Sequence, residues 1–140
     1  MLIYNKNWIV YLWGDAGIEN ANGSTMKLFT VSFFGHRIVS EFREAEGRVE
    51  ALIHTLLLEN EYVEFLVGRN GDFDQIVTSV VKRQQRRVRD DNSALIWILP
   101  YPTAELRDNL EIFEAYYDEI EICEAASRCH PNNAIQIRNQ

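Results

Sequence analysis

The chain has 140 residues, 46% hydrophobic and 25% charged, with a net charge of -7, which is enough for one domain with a substantial core. Its acidity argues against a dedicated duplex-DNA binder, whose footprint is a basic face, but leaves room for a small anion at a locally positive site. No apolar run approaches the ~18 residues that span a bilayer, and the amino terminus lacks the basic-then-apolar order of a signal peptide.

The first 25 residues differ from the rest. "NWIVYLW" (7–13) reads as a short strand, whereas "GDAGIENANGST" (14–25) is rich in Gly, Asn and Ser and reads as a loop or linker. Residues 1–25 are therefore expected to be an extension ahead of a compact domain spanning 26–140, with an added edge strand as the second reading. Either Met1 or Met26 could be the natural start.

From Leu28 onward, strand and helix patterns alternate. "KLFTVSFFG" is an apolar run ended by Gly35. Phe42, Ala45, Val49, Leu52, Ile53, Leu56 and Leu57 then recur at helical spacing, with Ser40 as N-cap and acids in the first turn. "VEFLVG" (63–68) is a second strand. After "RNGD", a helical pattern carries Phe73, Ile76, Val77, Val80 and Val81 into "KRQQRRVR". "ALIWILPYP" (94–102) is a third strand, closed by proline. Thr103 or Glu105 opens the next helix, "YDEIEI" is a weaker fourth strand, and a last helix is expected from Pro131. Such alternation is the signature of a parallel sheet with crossover helices, and continuous apolar strands fit a sheet covered on both faces. The expected class is α/β, a Rossmann-like three-layer sandwich with a mainly parallel sheet.

Ligands of open parallel sheets bind beyond the carboxyl ends of the strands. The residues there are Gly35, His36 and Arg37; then Gly68, Arg69, Asn70, Gly71 and Asp74; then Pro100 and Tyr101. The glycines allow close backbone approach. Helix N-termini after the first two loops offer N–H groups to an anion. Arg37 brings a fork suited to phosphate, and Asp72 or Asp74 could accept ribose hydroxyls. Either acid could instead cap the next helix, and each glycine could simply make a turn. The coincidence at three strand ends favours a nucleotide or phosphorylated ribose. His36 carries no assigned role.

Other chemistries find less support. Lys82, Arg83, Arg86, Arg87 and Arg89 read as a solvated helix face, balanced by acids such as Glu111 and Glu114. Cys123 and Cys129 are too few for a disulfide scaffold and read as ordinary thiols in a reducing cytoplasm. Cys129-His130 lacks the partners of a zinc site. No G-x-S-x-G elbow or Walker loop is present. No cofactor and no metal is expected.

The segments "FFGHR", "VEFLVGRNGDFDQIVTSVV", "IWILPY" and "AIQIRNQ", in that order, resemble the SLOG superfamily, and more narrowly its small bacterial members with an F-x-G-H-R start. That superfamily groups Rossmann-like domains related to the DNA-processing protein DprA and to Lonely Guy-type cytokinin-activating enzymes. The resemblance spans Lys27 to Gln140. It implies a fold that binds nucleotides or their derivatives, with Gly35, His36 and Arg37 in the first ligand loop and Gly68, Asn70, Gly71 and Asp74 in the second. Arg69 departs from the glycine usual there and could either block close approach or contact phosphate.

Lonely Guy-type enzymes cleave the N-glycosidic bond of a nucleoside monophosphate, using an arginine that Arg138 resembles and a glutamate in a P-G-G-x-G-T-x-x-E loop. The sequence stops before that loop. The expectation is a C-terminally truncated domain, or a variant without that part of the site, lacking its last strands. It would bind or sense a nucleotide-like ligand, and a second copy could cover the sheet edge left unpaired. Phosphoribohydrolase-like cleavage is the alternative, with Asp74 and Arg138 as weak catalytic candidates. Nucleic acid and membrane partners are disfavoured.

Overall fold

The computed structural model describes residues 2–4, 8–19 and 25–123. In chain order these form β1 (Leu2–Tyr4), β2 (Trp8–Glu19), β3 (Thr25–Gly35), α1 (Phe42–Glu59), β4 (Tyr62–Val67), α2 (Asp72–Arg87), β5 (Ser93–Leu99), α3 (Ala104–Asp108), α4 (Leu110–Tyr116) and β6 (Glu119–Ile122). The described strands make one sheet in sequential order, β1 to β6. β2 runs antiparallel to both β1 and β3, and β3 through β6 are all parallel. Over the described residues the class is α/β and Rossmann-like: a four-strand parallel sheet flanked by helices, joined to the antiparallel β1 and β2.

The elements form where their sequences direct them. In α1 the buried side chains are Ala45, Val49, Ile53, Leu56 and Leu57, a stripe at helical spacing. α2 buries Phe73, Ile76, Val77, Val80 and Val81 on the face turned to the sheet. All seven residues of β5 are buried, as suits a central parallel strand. Thr103 caps α3 by accepting the Leu106 N–H at 3.1 Å. The start of α1 falls one residue beyond the expected Ser40: Glu41 is the N-cap, and it makes no side-chain capping bond.

The amino-terminal segment departs from its sequence reading. β2 does not stop at Trp13. Gly14–Glu19, read as a loop, continues the strand and pairs with the start of β3, with a register shift between Trp13 and Ala16. The irregularity absorbs Gly14 and Asp15, residues that a regular ladder disfavours. Trp8, Val10 and Leu12 are buried in the same core as β3. Trp8 stacks on Phe73 of α2 with ring centroids 5.3 Å apart. "WIVYLW" is therefore a strand of the sheet, and β1 lies outside it.

Successive strand residues point to opposite faces. Val31, Phe33, Val63, Phe65, Val67, Leu95, Trp97 and Leu99 join the buried side chains of α1, α2, α3 and α4 in one large core. The shared face follows from topology: right-handed crossovers that always step in the same direction place their helices on the same side. The opposite face holds a second, smaller cluster of Leu66, Ala94, Ile96, Ile98 and Cys123, with Tyr62 packed against it. Cys123 is disulfide-bonded, which corrects the reading of ordinary thiols; it is buried where β6 ends, and Cys129 follows a short way along the chain. Among the described residues no helix is long and apolar enough to cross a membrane.

Candidate functional site

The sequential strand order contains no reversal, so the described sheet lacks the switch-point crevice that houses dinucleotides in doubly wound folds. The loops after β3, β4 and β5 lie at the carboxyl ends of parallel strands, which share one edge.

The first two loops meet backbone to backbone. The Asp72 N–H donates to the Arg37 carbonyl at 2.7 Å and the Phe73 N–H to the His36 carbonyl at 3.4 Å. Asp72 Oδ2 accepts the Val39 N–H at 3.0 Å. A Cβ on Gly71 would lie 2.4 Å from the Arg37 Cα, and one on Gly35 would lie 2.2 Å from the Phe73 ring. The glycines thus admit protein: Gly71 admits the first loop, and Gly35 admits Phe73. Two N–H groups of the first turn of α2, expected to be free for an anion, are committed to carbonyls. Neither acid caps that helix; its N-cap is Gly71, and Asp72 ties the helix to the loop after β3. His36 and Arg37 themselves are exposed.

The second loop forms a pocket. Asp74 is 5% exposed, and its Oδ2 accepts the Asn70 N–H at 2.7 Å, closing the loop on itself. A cavity of about 260 Å³ opens beside it, between α2 and the end of α4. Its lining includes Gly68 and Arg69 of the loop, Asp74, Thr78 and Ser79 of α2, and Tyr116 and Tyr117 at the end of α4. Arg69 is the cation of this pocket. Its Nε lies 3.6 Å from Glu105 Oε1, and its guanidinium carbon lies 4.8 Å from the Phe113 ring centroid.

These contacts shift the titrations. Burial alone would lower the Arg69 pKa, but the neighbouring Tyr117 hydroxyl and the charge of Glu105 hold it above the ordinary arginine value. Burial pushes the Tyr117 phenol up, with Arg69 opposing. Tyr116 is raised for the same reason and likewise opposed by Arg69. At neutral pH the pocket therefore presents a fixed cation and two neutral phenols.

Of the sequence-predicted residues, Gly68, Arg69 and Asp74 come together in the pocket, with Asn70 and Gly71 supporting them through backbone contacts. Gly35, His36 and Arg37 pack at the far end of that loop and do not line the cavity. Pro100 and Tyr101 are exposed after β5, Tyr101 by 63%, and do not line it either. Arg138 lies outside the described residues, as does the helix expected from Pro131. Thr78, Ser79, Tyr116, Tyr117 and Glu105 are not among the ligand residues expected from the sequence, which offers Glu105 only as a helix start. Thr78 could have been found, since it follows Asp74 by one helical turn. The tyrosines and Glu105 reach Arg69 only through tertiary contact.

The basic stretch of α2 is largely spent within the protein. Arg83 reaches Glu50 at 2.6 Å and Glu46 at 3.6 Å, both on α1, rather than the later acids expected. Lys82 donates to the Tyr116 carbonyl at 2.8 Å, and Arg89 pairs with Asp91 at 2.9 Å. Among the described residues no three His, Cys, Asp or Glu side chains are grouped to hold a metal. Comparison with protein-family models, curated proteins and solved structures returns no match.

Proposed function

We propose that the chain belongs with the SLOG-type domains its motifs resemble, and that it binds, and through binding senses, a nucleotide or nucleotide-derived ligand at the carboxyl end of β4. The observation that carries this reading is the pocket itself: an aromatically held guanidinium, Arg69, and a buried carboxylate, Asp74, face one cavity of about 260 Å³. Arg69 suits a phosphate, being planar and always charged. Asp74 suits ribose hydroxyls, because carboxyl oxygens accept hydrogen bonds. The partly exposed Tyr116 offers a ring to a base. The volume lies just below the ~300–1,000 Å³ of drug-sized sites, which favours a mononucleotide portion over a whole dinucleotide. A cytoplasmic home, where such ligands abound, goes with this reading, although the Cys123 disulfide is a bond that oxidising compartments favour.

The test is thermal unfolding of the protein with AMP, ADP-ribose and NAD. A ligand at about one hundred times its Kd adds about 2.7 kcal/mol, which raises Tm by several degrees for a chain of this size. Arg69→Ala should abolish the rise. No shift with any of the three would refute the reading. Incubation with AMP separates binding from cleavage. Release of adenine and ribose 5-phosphate would replace the binding role by a glycosidase with Asp74 as its carboxylate, the one observation in that role's favour being the burial of Asp74 in the pocket.

A further inference from the structure

We infer that Glu105 is a built-in counter-ion that a ligand phosphate displaces from Arg69, so that the pocket's affinity for a phosphate is set by a carboxylate of the protein itself. This rests on the nucleotide reading of the same pocket.

Arg69 is held by two contacts that differ in kind. The Phe113 ring, 4.8 Å from the guanidinium carbon, orients the cation without neutralising it, because a ring face leaves its full charge available. Only Glu105 opposes that charge. The pairing is loose: Nε to Oε1 is 3.6 Å, beyond good hydrogen-bonding distance. It is also wet, with side-chain exposures of 38% for Arg69 and 55% for Glu105. A pair of that kind is weak and screened. A phosphate meeting the planar fork with two parallel bonds is roughly twice as strong as a neutral contact. The exchange therefore runs toward the ligand.

Arg69 contributes +1, against -1 from Glu105, and a phosphate that meets the guanidinium takes over the carboxylate's role. Glu105 sits in the first turn of α3, a helix anchored independently by the Thr103 cap and buried Leu106. Its carboxylate can therefore leave Arg69 without unfolding the helix.

Calorimetric titration of the full chain with AMP and with adenosine, at low ionic strength, decides the matter for wild type, Glu105→Gln, Arg69→Gln and the double variant. Both side chains are exposed enough that the variants should fold, and matching urea midpoints check this. Glu105→Gln should bind AMP up to about fivefold tighter, the equivalent of an exposed ion pair. Its adenosine affinity should not change, and the gain should vanish in the Arg69→Gln background. If Arg69→Gln weakens AMP binding but Glu105→Gln leaves it unchanged, or the gain survives without Arg69, the counter-ion role is wrong and the nucleotide pocket stands. If AMP fails to bind, or binds equally well without Arg69, the pocket reading falls and the inference with it.

Discussion

A methyl group at Gly35 would sit 2.2 Å from the ring of Phe73, which is fully buried and has nowhere to retreat. One at Gly71 would meet the Arg37 backbone at 2.4 Å, and backbone yields less readily than a side chain. Gly47, exposed within α1, has nothing within 4 Å of the same position. Three glycine-to-alanine substitutions should therefore differ in sign. Gly35→Ala and Gly71→Ala should each cost about 1–3 kcal/mol through overpacking. Gly47→Ala should add roughly 0.5–1 kcal/mol, because alanine loses less backbone entropy in a helix. Urea unfolding of the three variants measures this, and equal effects at all three positions would contradict the packing account. The sequence marked Gly35 and Gly71 as places of close approach. It could not say what approaches, since Phe73 and Arg37 reach them only after two loops have packed together.

At the level of elements, the parallel strands and their helices were legible because buried strands read as apolar runs cut off by glycine or proline. β3, β4 and β5 end at or just before Gly35, Gly68 and Pro100. β2 was only half legible, because Gly14 and Asp15 look like loop residues and the register shift that accommodates them leaves no local signature. The weak fourth strand is held by a contact equally invisible to periodicity. Asp118 Oδ2 accepts the Leu95 N–H at 2.7 Å, while the Asp118 N–H donates to the Leu95 carbonyl at 2.9 Å. The same carboxylate oxygen accepts Gln85 Nε2 at 3.3 Å, reaching α2 as well. One side chain thus docks β6 onto β5 just before the strand begins. Asp118→Ala should cost about 1–3 kcal/mol, because the Leu95 amide is left unsatisfied at a partly buried position. Hydrogen exchange should quicken at Leu95 and through β6 while α1 stays protected. Uniform quickening across the sheet would show that Asp118 acts on global stability alone.

Across the whole molecule, sequential strand order concentrates the described helices on one face of the sheet, yet the other face also buries apolar side chains. Strand β5 samples both within adjacent residues. Leu95 and Ile96 are each 0% exposed, Leu95 within the helix-covered core and Ile96 in the smaller cluster with Leu66, Ala94, Ile98 and Cys123. Both side chains are fully buried, so truncating either removes similar transfer free energy and leaves a cavity. Leu95→Ala and Ile96→Ala should then each cost about 2–5 kcal/mol. If the second face behaves as solvated surface, Ile96→Ala should cost no more than the ~0.5 kcal/mol typical of surface substitutions, while Leu95→Ala keeps its full effect. Paired urea titrations of the full chain distinguish the two outcomes. The m-value adds a second reading, since it scales with the surface exposed on unfolding: an unchanged m in both variants ties the loss to packing rather than to a more open native state.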